Sequence, residues 1–349
     1  MLTPQATAYS SRYAQVEFID RMELIKMSKL YVIGNGFDLY HNLNTRYSTF
    51  GVYLKENYTD IYGQLVEYFG LPDLDDKGEC EYNYTLWADF EGSLSLLDQE
   101  VVLDAHSNSI ANLGSPGFRD RDWGAFAIDI ESVVNNLTLV LFKAFSEFIR
   151  DIDFPSLYHD LKLNLDKNAI YINFNYTDTL ERYYGISRDN ILYIHGKANE
   201  LNENLILGHG VDPNNFNSEG LKQPEGLSGE ESEIWIEQMA DSYDHSFELG
   251  KDALFQYFLR SYKNTKEIIE LNASLFDSLT HIREIIILGH SLSKIDLPYM
   301  KKISVNLTSS VIWSVSYYGN NEKERHKRTL TGLGVESDKI RQFKLYDLI

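Results

Sequence analysis

The stretch "KLYVIGNGFDLYHNL", residues 29–43, decides how the rest of the chain is interpreted. An apolar run ends in Gly34-Asn35-Gly36, an order typical of a buried strand that turns into a helix beneath a phosphate group. The dinucleotide fingerprint G-x-G-x-x-G needs a third glycine, and Leu39 stands at that position. The stretch therefore predicts a strand–loop–helix unit that differs from the loop of ordinary dehydrogenases.

Further short apolar runs have the composition of strands that are covered on both faces of a parallel sheet. They span residues 169–174, 191–194, 205–207, 284–288, 311–317 and 342–345. Long stretches with helical spacing separate them, as large insertions at about 45–165 and 215–282. The order of these segments predicts an α/β fold, Rossmann-like, with a mostly parallel sheet.

Two helices stand out within the first insertion. Apolar residues at 87, 90, 94, 97 and 101 recur every three or four positions, which predicts one helix. A second set, between residues 123 and 148, predicts a long helix. Residues 71–83 and 104–122 are rich in Gly, Pro, Asp and Asn, and predict loops.

The charge balance restricts the class of ligand. The chain has 52 acidic and 32 basic residues, a net charge of −20. A field of this sign repels polyphosphate, so an extended nucleic-acid surface is not expected. A local basic groove, or a small anionic ligand held by backbone amides, is compatible with it.

The composition also restricts compartment and processing. Cys80 is the single cysteine, so no internal disulfide or Cys-rich zinc module is expected, and a reducing cytoplasm fits this usage. No apolar run approaches the ~20 residues of a membrane span. Met22 and Met27 precede the first strand. Residues 1–27 are therefore interpreted as an N-terminal extension or a misread upstream start, and residues 28–349 as one domain.

Polar residues cluster where four predicted strands end. The clusters are residues 34–38, 175–178, 195–196 and 289–293. Ligands of open parallel sheets bind at the carboxyl ends of the strands, so these clusters predict one shared site. No H-x-x-x-H or H-E-x-x-H spacing occurs, and no metal is expected.

Each cluster residue has an expected role and a structural alternative. Asn175 and His195 are the candidates to position a ribose or water and to transfer a proton. The expected nucleotide-binding residues are Gly34, Asn35, Gly36, Phe37, Asp178, Gly289, His290 and Ser291. Glu91, His209 and Asp296 are expected to line the site. Tight turns, helix starts at Asp178 and Asp296, and core histidines explain the same residue types without a ligand.

Several motifs, in this order, resemble one known family. They are "LYVIGNGFDLYHNLNTRYSTF", Trp87 with Phe90-Glu91, "FNYTDTLE", "IHGK" and "LGHSLSKIDL". Together they resemble the bacteriophage abortive-infection family AbiH, from about residue 28 to the C-terminus. The resemblance implies a role in bacterial defence against bacteriophage.

A weaker similarity is to the sirtuin-like NAD-binding fold. It implies a phosphate loop at Gly34 and Gly36, a catalytic asparagine at Asn175 and a catalytic histidine at His195. Gly289 and Ser291 match its ribose-side loop. The pattern departs where Thr177 follows Asn-Tyr, with Asp178 shifted by one, and where Asp38 replaces a common serine. The absent four-cysteine zinc module argues against a deacylase.

The leading hypothesis is hydrolysis of NAD at the nicotinamide–ribose bond, with no tightly bound cofactor. In it, Asp38 or Glu91 stabilises the developing positive charge. One alternative is a non-catalytic sensor of NAD or ADP-ribose. Another is a metal-dependent nuclease in which Asp38, Asp178 and Asp296 hold Mg²⁺. A dehydrogenase ranks last. A phage-derived trigger and a homo-oligomer are the partners considered.

Overall fold

The computed structural model describes residues 28–82, 84–112, 114–156, 162–198, 205–217, 228–229 and 244–348. The expected N-terminal extension, residues 1–27, lies outside the described residues. Two parts of the second predicted helical insertion, residues 218–227 and 230–243, lie outside them as well.

The centre of the fold is a six-stranded sheet in which every neighbouring pair is parallel. The strands are β1 (Lys29–Ile33), β2 (Ile170–Asn173), β3 (Ile191–Tyr193), β4 (Glu284–Leu288), β5 (Ile312–Ser316) and β6 (Ile340–Phe343). Their spatial order is β3-β2-β1-β4-β5-β6, the doubly wound Rossmann order. The predicted α/β, Rossmann-like fold with a parallel sheet is confirmed.

Burial explains why these runs form strands. β1, β2 and β4 are almost wholly buried, because apolar side chains cover both faces of the sheet. One face packs against residues that include Phe174, Leu292 and Tyr299. The other packs against residues that include Phe37 and Tyr184.

The predicted short strand at residues 205–207 is wrong. These residues have no strand conformation. The Ile206 amide donates to the His195 carbonyl at 2.9 Å, and the Ile206 carbonyl accepts the Tyr176 hydroxyl at 2.8 Å. Because these partners lie in loops, the run has no strand to pair with.

The described helices follow the strands and fill the insertions. They are α1 (Asn35–Tyr40), α2 (Tyr47–Asn57), α3 (Thr59–Phe69), α4 (Tyr84–Ala88), α5 (Phe90–Ser93), α6 (Gln99–Ala105), α7 (Ala125–Asn135), α8 (Leu141–Arg150), α9 (Thr179–Tyr184), α10 (His245–Arg260), α11 (Thr265–Leu271), α12 (Ala273–Ser278), α13 (Leu297–Val305) and α14 (Asn320–Gly332). The single helix predicted over residues 87–101 is wrong, because the chain divides it among α4, α5, a 3₁₀ turn and α6. Asp98 accepts hydrogen bonds from the amides of Glu100 and Val101 and so begins α6 as a new helix.

The described residues belong to two compact units. The first comprises the described residues within Met1–Phe50, Phe145–Leu207 and Lys263–Ile349, and it contains the sheet. The second comprises Gly51–Ala144 and Gly208–Tyr262 and is helical.

The second unit contains most of a long apolar helical run. The run Asp120–Arg150 is long and apolar enough to cross a membrane by length and composition, which the sequence interpretation did not recognise. Within it, Phe126 on α7 is fully buried and stacks on Phe247 of α10, with ring centroids 5.9 Å apart. A buried helix of a protein core passes the same length and composition criteria.

Candidate functional site

The polar residues predicted from the strand ends lie at one edge of the sheet. Because β1 to β4 are parallel and adjacent, their carboxyl ends share this edge. The chain runs from β1 outward to β2 and β3, and then crosses back over β1 to β4 and continues to β5 and β6. The topological switch point therefore lies between β1 and β4. Open α/β sheets bind ligands beside this point.

The glycines at the switch point join two loops backbone to backbone. The Gly34 amide donates to the Leu288 carbonyl at 3.0 Å, and the Gly36 amide donates to the Gly289 carbonyl at 2.7 Å. A Cβ on Gly34 would lie 2.5 Å from Cα of His290. Two amides that were expected to bind phosphate therefore donate to protein carbonyls, and close loop packing explains both glycines.

Two residues in the first turn of α1, Asn35 and Phe37, make structural contacts. The Asn35 side chain donates to the Thr45 carbonyl at 3.1 Å and accepts the Thr45 hydroxyl at 2.5 Å. Phe37 is fully buried, with its ring 4.6 Å from that of His41. A nucleotide contact by Asn35 or Phe37 stays a prediction.

A buried carboxyl on α1 links that helix to the residues that follow β2. Asp38 Oδ2 accepts the Thr177 hydroxyl at 2.6 Å, and Oδ1 accepts the Thr179 hydroxyl at 2.7 Å. Burial raises the pKa of Asp38 to about 6, against the lowering effect of hydrogen bonds from Thr177, Thr179 and Asn175. We call these four residues the Asp38 group. Thr177 stands where the sirtuin-like pattern has an aspartate, and here its hydroxyl donates a hydrogen bond to the buried Asp38 carboxyl.

Replacing Asp38 with asparagine is expected to remove a pH-dependent loss of stability. The folded protein holds this proton with a pKa of about 6, whereas an unfolded chain releases it near pH ~3.9. The free energy of unfolding therefore falls as pH rises from about 4 to about 6, by about 3 kcal/mol, and then levels off. Asparagine does not titrate and still accepts one hydroxyl.

Urea unfolding between pH 4 and 7, a range of about three pH units around that pKa, measures the effect. The wild-type midpoint should decline relative to that of Asp38→Asn as pH rises. Asp277→Asn is the matched control, because its carboxylate is 62% exposed and pairs with Lys302 at the surface. Parallel pH profiles for wild type and Asp38→Asn would contradict the assignment.

A second buried carboxylate collects cationic and imidazole groups. Asp296 Oδ1 lies 3.9 Å from His195 Nε2 and 3.8 Å from Lys263 Nζ. Asp296 Oδ2 lies 3.7 Å from His290 Nε2 and accepts the Ser293 hydroxyl at 3.0 Å. We call Asp296, His195, Lys263 and His290 the Asp296 group. The structure thus brings together three predicted residues and adds Lys263, which the sequence interpretation missed.

The electrostatics of the Asp296 group follow from its burial. Burial raises the pKa of the Asp296 carboxyl, while the Lys263 ammonium and the Ser293 hydroxyl act to lower it. The side chain of Lys263 is fully buried, and a buried ammonium needs a counter-charge such as this carboxylate. Burial, with His326 and Lys263 adding to it, lowers the pKa of His290 to about 3, so that its imidazole is neutral at pH 7.

Local contacts fix the direction of the His290 imidazole. The Leu292 amide donates to His290 Nδ1 at 3.0 Å, so the neutral ring carries its hydrogen on Nε2, facing Asp296. Leu292 has a φ of 52°, a conformation that costs a non-glycine residue energy and often accompanies functional loops. Phe174 packs edge to face against His290 and His195, at centroid distances of 4.4 and 5.3 Å.

The separations within the Asp296 group suit proton transfer through a bridging oxygen. The three distances of 3.7 to 3.9 Å from Asp296 exceed direct hydrogen-bond lengths. A water or a substrate hydroxyl spans gaps of this size. An imidazole beside a carboxylate is the common arrangement of a general base with its orienting group.

The other predicted residues have different surroundings. Asp178 begins α9 as expected, but its carboxylate pairs with Arg182 at 2.6 Å and lies 3.9 Å from Lys197. Ser291 is exposed, and its carbonyl accepts Arg325 at 3.3 Å. Asp296 begins α13, as predicted.

Glu91 and His209 belong to the second unit. Glu91 is half-buried on α5. His209 is fully buried, and burial lowers its pKa to about 4. Its ring packs against those of Phe216 and Tyr262. Its surroundings are those of a core histidine, and its lining role stays a prediction.

The described ranges contain no group of three His, Cys, Asp or Glu side chains that could hold a metal ion. In particular, Asp38 and Asp296 have separate hydrogen-bond partners, two threonines and Ser293. No observation among these residues therefore favours the Mg²⁺ arrangement of the nuclease alternative.

The strand order, the switch point and the buried polar side chains beside it define a Rossmann-like α/β protein with a candidate ligand site. Residues 30–317 match the family described as Bacteriophage abortive infection AbiH. This match covers more than half of the chain, which therefore belongs to the AbiH family. Membership supports a role in abortive infection, a defence against bacteriophage. No curated protein and no solved structure matches the chain significantly.

Proposed function

We propose that this AbiH protein acts in phage defence by hydrolysing NAD at the nicotinamide–ribose bond. The observation that carries the proposal is the Asp296 group, in which His195 and Asp296 lie 3.9 Å apart and buried beside the switch point. In sheets of the same strand order, dinucleotides bind at the switch point.

The reaction requires a base and a stabilising negative charge. Cleavage passes through an oxocarbenium-like cation as the C–N bond to nicotinamide breaks and water attacks the same ribose carbon. His195 accepts the proton of that water, and Asp296 stabilises the imidazolium that results. The products are neutral nicotinamide, ADP-ribose and one proton, so the atoms and charges balance.

The Asp38 group takes a supporting part in this proposal. Asp38 receives hydrogen bonds from Thr177 and Thr179, which hold the loop that carries Asn175. Asn175 is 5% exposed and follows β2, a position from which its amide would position a ribose hydroxyl. The proposal assigns no phosphate to the amides of Gly34 and Gly36, since both donate to carbonyls.

Incubation of the full-length chain with NAD, followed by chromatography of the products, tests the proposal. Nicotinamide and ADP-ribose should accumulate in equal amounts, at a rate proportional to protein concentration. Calorimetry with ADP-ribose is the second measurement. Tight binding of ADP-ribose without turnover of NAD would favour the sensor function over hydrolysis. The absence of both binding and turnover would overturn both functions.

A further inference from the structure

A cluster of tyrosine and lysine side chains follows β5 and β6, apart from the residues assigned to NAD. Two lysine ammonium groups lie over the ring of Tyr317, Lys323 at 5.1 Å and Lys344 at 5.7 Å from its centroid. Lys344 also lies 5.8 Å from the ring of Tyr346, and Tyr318 follows Tyr317 directly. We call these five residues the tyrosine–lysine cluster.

Backbone contacts hold the cluster together. β5 and β6 are paired, and beyond them the Tyr317 amide donates to the Phe343 carbonyl at 3.0 Å. Gln342 donates to the Lys323 carbonyl at 2.7 Å, which ties α14 to β6. Hydrogen bonds therefore hold the backbone on which the cluster residues lie.

Two of its aromatic rings face solvent. Tyr318 is 92% exposed and Tyr346 is 58% exposed, although aromatic side chains usually bury most of their surface. The Tyr346 ring beside the Lys344 ammonium offers both contacts that single-stranded nucleic acid makes with proteins, a stacking platform for a base and a cation for the phosphate. Tyr318 adds a second exposed ring.

The local charge differs in sign from that of the whole chain. Residues 317–347 carry seven Lys or Arg and five Asp or Glu, whereas the chain has 32 and 52. At about 0.1 M salt, exposed charges farther away than about 10 Å are largely screened, so the acidic remainder of the chain repels a phosphate at this segment only weakly. Two of the five carboxylates lie at the cluster itself, because Glu322 accepts the Tyr318 amide and Asp347 accepts the Lys344 amide. The net excess of two positive charges belongs to the whole segment 317–347.

We propose that the tyrosine–lysine cluster binds single-stranded nucleic acid. Unpaired bases stack on Tyr318 and Tyr346, while Lys323 and Lys344 contact phosphates. A duplex hides its bases from such platforms, so a single strand binds better. The site is independent of NAD hydrolysis, because none of its residues belongs to the Asp38 group or the Asp296 group.

Fluorescence anisotropy with a labelled single-stranded oligonucleotide tests the proposal on the full-length protein, with RNA and DNA as separate arms and a duplex as comparison. Tyr318→Ala and Tyr346→Ala should each weaken binding about tenfold. The double variant Lys323→Glu with Lys344→Glu should also make the negative slope of log affinity against log salt concentration less steep, by about 1.4.

Two controls match these variants. Tyr82→Ala removes another exposed ring, 72% exposed, in the second unit, and Lys266→Glu reverses a lysine whose side chain is 87% exposed. Both should bind as the wild type does. Three results would overturn the proposal. The wild type does not bind the oligonucleotide, the control variants lose as much affinity as the cluster variants, or polyglutamate binds as the oligonucleotide does.

Discussion

Alanine at Gly289 is expected to destabilise the unit that contains the sheet by at least about 3 kcal/mol. Gly289 has a φ of +62°, which costs an L-residue about 1–2 kcal/mol. A Cβ there would also overlap the backbone of Gly36 and Phe37, which cannot move without breaking the hydrogen bond from Gly36 to Gly289. Hydrogen exchange of β1 and β4 under increasing urea measures the loss.

Alanine substitutions at three other glycines separate the effect of the positive φ from that of the close backbone approach. Gly334→Ala tests the positive φ alone, because φ is +90° and nothing lies within 4 Å of its Cβ position. Gly36→Ala tests the close approach, since its Cβ would lie 2.8 Å from the Gly289 Cα. Gly319→Ala has neither problem and should match the wild type. Stability of Gly289→Ala close to that of Gly319→Ala would show that the two loops are not locked together.

His195→Gln is expected to lower kcat for NAD hydrolysis by about 10²- to 10⁴-fold, the usual contribution of a general base. KM should change little, because the proposed role of His195 is proton transfer at the reacting carbon. Glutamine keeps much of the volume of the buried imidazole, which is 2% exposed. Steady-state assays of nicotinamide release at several NAD concentrations measure both constants.

Asp296→Asn provides the companion measurement for that role. It should also lower kcat, since it removes the charge that stabilises protonated His195. His106→Ala, a change in the second unit, is the control and should leave both constants unchanged. If folded His195→Gln hydrolyses NAD at the wild-type rate, His195 is not the base.

The alternation of short apolar runs with helical stretches was enough to predict the sheet. β1 and β4 have the predicted bounds, and the other strands differ by one or two residues at their ends. The failures came from segments whose structure depends on distant partners. Residues 205–207 are apolar but contact loops. The apolar spacing of residues 87–101 continues across several short helices, of which Asp98 begins the last.

The candidate site was predictable where polar residues follow strands. His195, His290 and Asp296 do meet, because parallel strands end at one edge. Asp38 and Asp296 belong to separate groups, because Asp38 accepts hydroxyls of the residues after β2 and Asp296 accepts the Ser293 hydroxyl after β4. No local pattern in the sequence records these partners. Lys263 lies between α10 and α11 within a predicted helical stretch, and nothing in its neighbourhood marks it as buried. Asn264, which accepts the Glu267 amide, was the one local sign of a break there.

The hydrogen bond from Gly36 to Gly289 has a consequence for how this site can vary among related chains. It joins the loop that leads to Asp38 to the loop that contains His290. A side chain added to either loop displaces the other, so a change tolerated at one depends on the residues present in the other. The sequences of the two loops are thus expected to change together during evolution. The effect of a substitution in one loop should depend strongly on the residues of the other.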